Sequence, residues 1–567
     1  MPLLAWGQWK PDVSDFLSDA SQNISNVIPR GDGYGPFNDF AALSQALPAV
    51  CRGGFYALKS DGSVAIFAAT ADRIFLANNT DFSWKAVSKY ATVTSISNAS
   101  PGVVTKTAHG FAVNDPVVFS TDGALPTGLT AGTNYFVKTV LTADTFTVSA
   151  TPGGAAIDTS SAGSGTHSVT WFYSTLSADA QWQFVQFGNY VIAVQANVAP
   201  QVFDLSSSTA FANLSGSPPQ AAYASIVGRF VVLSGLLSAP YKIQWSALDD
   251  VTGWTPGTNS SDEQEFPDGG IVRGVAGGEF GVVFQDQAIR RMSYIPGSTI
   301  IFQIERIAEQ KGLFGPYSIV RAGDTVFFHS AKGFHKIEPG SPPVQIGRER
   351  VDRTFFDALD KNALKLFIGA ADPRSTKVFW AYKTASSSVT TRYDAIIGYD
   401  SALDRFFPVL MTGEYLMGLS QPGLTLEGLD SLSSSLDALA ASLDSFSVST
   451  TPSMSQFNTD HKLGFFSGLT LEAELETSEQ GTDKDTIFIR GVKPVTDAVT
   501  VYGSLRHRMT LQDLPTEGAE RLINSRTGKI DLRRDARYQR IKNRIPAGTN
   551  WTYHAGVVPD VEGEGED

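Results

Sequence analysis

The chain is nearly without cysteine: Cys51 is the only one in 567 residues. No intrachain disulfide and no cysteine-based zinc site is open to it. Cys51 stands beside Gly53 and Gly54 in a turn-like stretch and reads as a buried or incidental thiol rather than a nucleophile. Long apolar runs are also missing. Nowhere do about 18 apolar residues follow one another, so no membrane-spanning helix is predicted. The opening MPLLAWGQWKPD holds too short an apolar run for a secretory leader, and synthesis and folding in a cytoplasm are expected. Positive charge is in deficit: 44 Lys and Arg stand against 57 Asp and Glu, a formal net charge of -13. Binding of nucleic-acid phosphates by the chain as a whole is disfavoured, while a local basic patch stays open. Charged residues amount to only 18%, yet hydrophobic residues reach 42% and aromatics 11%, which excludes a disordered, solvating chain.

Catalytic signatures are equally scarce. The seven histidines (His109, His167, His329, His335, His461, His507, His554) form no HExxH or HxH pattern, so no metal site is signalled. There is no G-x-S-x-G elbow and no EF-hand loop. Thr527-Gly528-Lys529 lacks the upstream glycine of a P-loop. Gly31-Asp-Gly-Tyr-Gly35 has no strand before it and is followed by Pro36, which marks a turn-rich segment instead of a dinucleotide loop. No cofactor and no catalytic residue is expected.

What the sequence does contain is strand. A chain of this length predicts two to four domains. Short β-branched and aromatic runs such as Val191-Ile-Ala-Val194, Phe230-Val-Val-Leu233, Gly281-Val-Val-Phe284 and Thr325-Val-Phe-Phe328 are bounded by Gly, Asp, Asn and Pro. Each follows a turn glycine, and Gly188, Gly228, Gly278 and Gly323 stand 40, 50 and 45 residues apart. Four short strands need about 40–50 residues, the length of one propeller blade. The predicted fold is all-β. A degenerate β-propeller-like body spans 51–91 and 172–415, with hairpins in a sandwich as the plainer alternative.

Around this body the composition shifts. From Thr92 to Trp171 aromatics thin out and Gly, Ser, Thr and Ala take over, which predicts a small inserted β domain. Residues 1–50 read as an irregular arm. Residues 416–457 read as a Ser/Leu-rich linker or short helix, because Leu429, Leu432, Leu436, Leu439, Leu443 and Phe446 step by three and four. Asp430, Asp437 and Asp444 recur at seven, and a solvated helix face explains them better than a cation site. Residues 458–560 predict a C-terminal β-sandwich-like domain. There Leu471, Ala473 and Leu475 alternate with Glu472, Glu474 and Glu476, one face buried and one solvated. An acidic tail, 561–567, closes the chain.

Two kinds of stretch carry candidate chemistry. Ser246-Ala-Leu-Asp-Asp-Val-Thr-Gly-Trp254 has the letters of the Asp-box turn of propeller glycosidases and sialidases in the wrong spacing, and Asp81-Phe-Ser-Trp84 is a poorer match. The second stretch, between Arg521 and Arg544, is the most basic in the chain. Arg533, Arg537, Arg540 and Arg544 would share one face of a helix. These arginines pair with the acidic excess within the subunit or across a subunit boundary, or they touch nucleic acid. With the leucine seam they are the candidate subunit-interface residues.

Several stretches together resemble one family: Trp9-Lys-Pro-Asp12, Asn26-Val-Ile-Pro29, Gly33-Tyr-Gly-Pro36, Ile243-Gln-Trp-Ser246 with Asp250 and Trp254, Lys311-Gly-Leu-Phe-Gly-Pro316, Ser442-Leu-Asp-Ser445, Asp460-His-Lys-Leu-Gly464, and Ala536-Arg-Tyr538 leading to Ile545-Pro-Ala-Gly548 and Trp551. The pattern resembles phage tail nozzle or tail hub proteins of the tail tubular protein B kind, over most of the chain outside 92–171. That resemblance implies a non-enzymatic virion protein with a propeller-like body, assembled in the host cytoplasm as a homo-oligomeric ring of six copies. Its implied partners are a tail adaptor above, fibres or spikes, and viral DNA that passes through without sequence-specific binding. A glycan-binding or glycan-cleaving propeller, such as a receptor-binding fibre or depolymerase, is the alternative.

Overall fold

The computed structural model describes residues 3–563 apart from 17, 89, 174, 177–179, 299, 421–451 and 483–484. Among the described residues there is one short α-helix, Asp352–Ala358, and one 3-10 turn, Leu364–Leu366, in an otherwise all-β chain. The strands are short because tight turns end them. Gly188, Gly228 and Gly323 sit at φ 57°, 55° and 62° in two-residue turns between the first and second strands of their sheets. Glycine enters that left-handed region without a Cβ penalty, and the resulting turn matches the twist of the flanking strands. Between third and fourth strands another device recurs. The carboxylates of Asp81, Asp204 and Asp250 each accept the N–H and, at 2.7 Å, the hydroxyl of Ser83, Ser206 and Thr252. The two Asp-box-like stretches are therefore structural turns.

Six consecutive four-stranded antiparallel sheets run from Gly54 to Val409, and a seventh combines Tyr415–Ser420, Pro452–Phe457 and Lys462–Phe465 with Ala41–Ala46. The first strand of the seventh, Tyr415–Ser420, abuts Gly54–Leu58, the first strand of the first. The result is a closed β-propeller of seven blades, with apolar layers sandwiched between neighbouring sheets. Phe67, Trp182, Val191 and Phe203 form one such layer, and Phe327, Phe334, Trp380 and Tyr399 another. Strands buried on both faces carry continuous apolar runs, as in Val64–Ala69 and Gly281–Gln285. Each fully buried Phe or Val in these layers contributes about 1.5–3 kcal/mol.

Several boundaries differ from the sequence reading, among them the start of the C-terminal domain, since Lys462–Phe465 belongs to the seventh blade. The propeller does not stop at 415, since Tyr415–Ser420 and Pro452–Phe457 are paired strands of the last blade and not a linker or helix. The seam from Leu429 to Phe446 lies outside the described residues. Nor is 1–50 an irregular arm. Ala41–Ala46 closes the seventh blade, and four earlier strands join the C-terminal domain. These strands are two to six residues long, and apart from the hairpin of Val27–Arg30 with Gly33–Pro36 their pairing is with partners hundreds of residues away, so they leave little local periodicity to read.

The C-terminal domain is thus a two-sheet sandwich built from both ends of the chain. One sheet runs Ile530–Ala536, Ile487–Thr496, His554–Gly563, Gly33–Pro36, Val27–Arg30; Leu4–Ala5 also pairs with His554–Gly563. The other runs Ile24–Ser25, Ala473–Glu476, Tyr538–Ile545, Tyr502–Arg508, Thr516–Glu517. Trp6, Tyr34, Leu475, Ile541, Trp551 and Val557 share the core between them. Val561 and Glu562 of the acidic tail belong to the last strand. Residues 90–171 form a separate seven-stranded sheet between blades 1 and 2, around Val117, Phe119, Phe146 and Val169.

The sandwich is clamped to blade 6 by polar residues. Asn26, held at φ 59°, takes the Pro408 carbonyl on its N–H at 3.0 Å and accepts the Leu410 N–H on Oδ1 at 2.7 Å. Asp12 accepts the N–H groups of Arg353 and Thr354 at 2.8 and 2.9 Å and so caps the helix Asp352–Ala358 from a distant segment.

Candidate interaction surface

The basic stretch folds as strands, not as a helix. In Tyr538–Ile545, Ile541 and Ile545 enter the core, while Arg540, Lys542 and Arg544 project to the other face. The period is two, set by pairing with the neighbouring strands on both sides. Arg533 belongs to Ile530–Ala536 in the opposite sheet, and Arg537 marks the crossover between the sheets. Only Arg540 and Arg544 therefore share a face.

Acids from elsewhere in the chain meet the cationic row. Asp15 lies 3.0 Å from Arg540, and both side chains are nearly excluded from water. Arg508 binds Glu479, which is also 3.8 Å from Arg540. Burial pushes the Asp15 carboxyl above its ordinary value, against the pull of Arg540. Arg506 reaches Glu476 at 3.3 Å, so the glutamate face read as solvated is in part a buried ion-pair face. Arg544 pairs with Glu472 and Glu520, each at 2.8 Å, and its guanidinium stands 4.5 Å over the Tyr502 ring. Hydrogen bonding from Arg544 holds the Glu520 carboxyl below its ordinary value. Arg540 and Arg544 are thus committed within the subunit. Sequence reasoning had no means of finding Asp15, Glu476 and Glu479 as their partners, because no spacing links them.

Arg533 and Arg534 are different. Both are exposed, and neither they nor Arg521 has an ion pair or side-chain hydrogen bond among the described residues. Together with Lys529, which reaches Asp560 at 2.5 Å, they line a groove of about 690 Å³ between the open edges of the two sheets. Arg533 sits at φ 49° in a β-bulge, where Leu532 and Arg533 oppose Arg490 alone. A bulge turns a side chain away from its regular direction at a local cost in backbone strain.

Cys51 is buried, its thiol pushed far up by desolvation. Glu414 accepts the Cys51 N–H at 2.9 Å and lies 2.7 Å from His461. Tyr317 accepts the Gln181 N–H at 2.6 Å and packs edge-on against Tyr223. No group of three or more His, Cys, Asp or Glu among the described residues is arranged to hold a metal ion. No described helix is long and apolar enough to cross a membrane.

No family model matches the chain, and no curated protein matches it. Among solved structures, a computationally designed Ika8 protein aligns at TM-score 0.31 and 10% identity, over 74% of this chain and 97% of its own. The phage phi92 endosialidase aligns at TM-score 0.20 and 14% identity, over 51% of this chain and 52% of its own. YCF48 from Cyanidioschyzon merolae aligns at TM-score 0.25 and 8% identity, over 54% of this chain and 88% of its own. Likeness at this level decides nothing about function.

Proposed function

We propose that this chain is a structural component of a phage tail: a ring-forming nozzle or hub that forms the distal DNA-ejection conduit and a platform for fibres or spikes. The observation that carries the reading is where the residues of the resemblance sit. Asp12 and Asn26 fasten the sandwich to the propeller. Tyr34 and Trp551 fill the sandwich core. Leu313 ties blades 4 and 5 through its N–H to Gln285 at 2.9 Å, and His461 meets Glu414 in blade 7. These residues fix modules relative to one another and do not converge on a cavity. That is the use expected in a part whose task is to hold shape under assembly.

The test is the mass and shape of the purified full chain, by light scattering and negative-stain images, followed by images of the virion. With a subunit of 60.8 kDa, a closed ring of about six copies with a central hole is the expected result. A chain that is absent from the particle and binds or cleaves surface glycans as a monomer overturns the reading in favour of the glycan-directed propeller.

A further inference from the structure

The groove lined by Arg521, Arg533 and Arg534 lies at the extremity of the sandwich. In one sheet Val27–Arg30 packs on blade 6, and Ile530–Ala536 is the edge at the opposite end. In the other, Ile24–Ser25 packs on blade 6, and Arg521–Leu522 and Thr516–Glu517 lie beyond the far strand. The groove therefore opens away from the propeller. Ile530–Ala536 pairs on one side only, so its outer backbone N–H and C=O groups are available to a further strand. Leu522 beside it is 54% exposed.

On blade 3 the outer strand Asp262–Glu265 is the complement. Its sequence is Asp-Glu-Gln-Glu, it pairs only inward with Lys242–Trp245, and its residues 263–265 are exposed. Glu263 is held by Lys242 at 2.7 Å, while Asp262 and Glu265 have no ion pair among the described residues. Blade 3 stands three blades from blade 6 in a ring of seven, on the other side of the molecule. Two complementary patches on opposite sides cannot satisfy each other within one subunit. They generate a head-to-tail contact, which closes into a ring when the rotation allows. Overall charge favours the same occupant: a chain of net charge -13 offers acid to the unpaired Arg521, Arg533 and Arg534 of a groove whose lining carries one carboxylate, Asp531, whereas polyanionic DNA is repelled by the rest of the surface.

We propose that the distal groove of the sandwich receives the acidic outer strand of blade 3, Asp262–Glu265, from a second copy of this chain. The incoming strand adds to the edge Ile530–Ala536 through backbone hydrogen bonds, and Arg533 and Arg534 set its identity by pairing with Asp262 and Glu265. The proposal deepens the ring reading and rests on it.

The test uses the full chain in two separate experiments. In the first, Arg534→Cys and Glu265→Cys are combined. Cys51 is buried, so mild oxidation joins only the new thiols, and these lie far apart within one subunit. A ladder of disulfide-linked oligomers, with each single substitution giving at most dimers, is the expected result. In the second, Arg533→Glu with Arg534→Glu weakens association at least tenfold by sedimentation, and adding Asp262→Arg with Glu265→Arg restores it. Arg533→Lys with Arg534→Lys serves as the folding control and keeps most of the association. Absence of the ladder overturns the proposal. So do rings unaffected by the charge reversal, and this outcome leaves the ring reading standing. Binding of duplex DNA by the groove, lost in the Arg→Glu pair, overturns it in favour of a nucleic-acid partner. Absence of rings both in solution and on the virion removes the ring reading itself.

Discussion

The indole N–H of Trp6 donates to Nδ1 of His554 at 3.0 Å across 548 residues of sequence, and the two rings meet edge to face with centroids 4.9 Å apart. This contact ties the two ends of the chain inside the sandwich core. Trp6→Phe keeps the ring and deletes the donor, leaving Nδ1 of a buried imidazole unpaired. A loss of about 1–3 kcal/mol is expected in denaturant unfolding. A substitution without effect on the midpoint would mean that water or another donor replaces the indole.

Burial sets the pH response. His329 and His554 have pKa values pushed down to about 3 from 6.5, in both cases chiefly by desolvation. His329 is ringed by Phe314, Phe334, Phe355, Phe356 and Phe367, and neither of its nitrogens has a hydrogen-bond partner. In the unfolded chain these imidazoles take up protons below pH 6.5, while the folded chain refuses them until about pH 3. The unfolded state therefore binds more protons in that window, and stability falls as pH falls. Tm measured from pH 7 to pH 4 is expected to drop. His329→Phe makes the drop shallower; an unchanged slope contradicts the assignment.

Arg540 and Arg544 separate buried from exposed ion pairs. Arg540→Ala strands Asp15 in a dry site beside Glu479, and a cost of about 3–5 kcal/mol is expected. Arg544→Ala releases more accessible partners and is expected to cost about 1 kcal/mol or less through the ion pairs, plus a fraction for its place over Tyr502. Chemical unfolding of the two variants side by side checks the contrast, and equal costs count against it.

Closure of the propeller is testable at Gly464. A Cβ there would run into the Ala41 carbonyl and the Phe40 ring, so Gly464→Ala pushes Ala41–Ala46 off the seventh blade. A destabilisation of about 1–3 kcal/mol and new proteolytic cleavage near residues 41–46 are expected. Cleavage elsewhere first means that another blade boundary opens more easily.

Asn26 tests the joint between modules. Asn26→Ala removes the acceptor for Leu410 and the donor to the Glu472 carbonyl, and places a residue with a higher left-handed penalty at φ 59°. Asn26→Gly relieves the backbone but not the hydrogen bonds. Alanine is expected to cost more than glycine in thermal unfolding, and the reverse order would mean that the chain entropy of glycine outweighs the left-handed penalty of alanine.

The all-β, propeller-like class is legible in the sequence. Turn glycines, double-sided apolar strands and blade-length spacing are local features, set by φ preferences and by burial on two faces, and a local reading recovers them. Tertiary structure alone decided that there are seven blades, because the last takes its outer strand from residues 41–46 before the first. It also made the arm of 1–50 part of a sandwich and gave Arg540 to Asp15. In Tyr538–Ile545 the spacing of four, between Arg540 and Arg544 and between Ile541 and Ile545, fits either a helix or a strand, and pairing with Ala473–Glu476 and Tyr502–Arg508 decided for the strand. Two-residue strands such as Leu4–Ala5 and Ile24–Ser25 carry no period at all. Their conformation is fixed by partners hundreds of residues away, and pairing at that distance is a property of the folded chain, not of any stretch of its sequence.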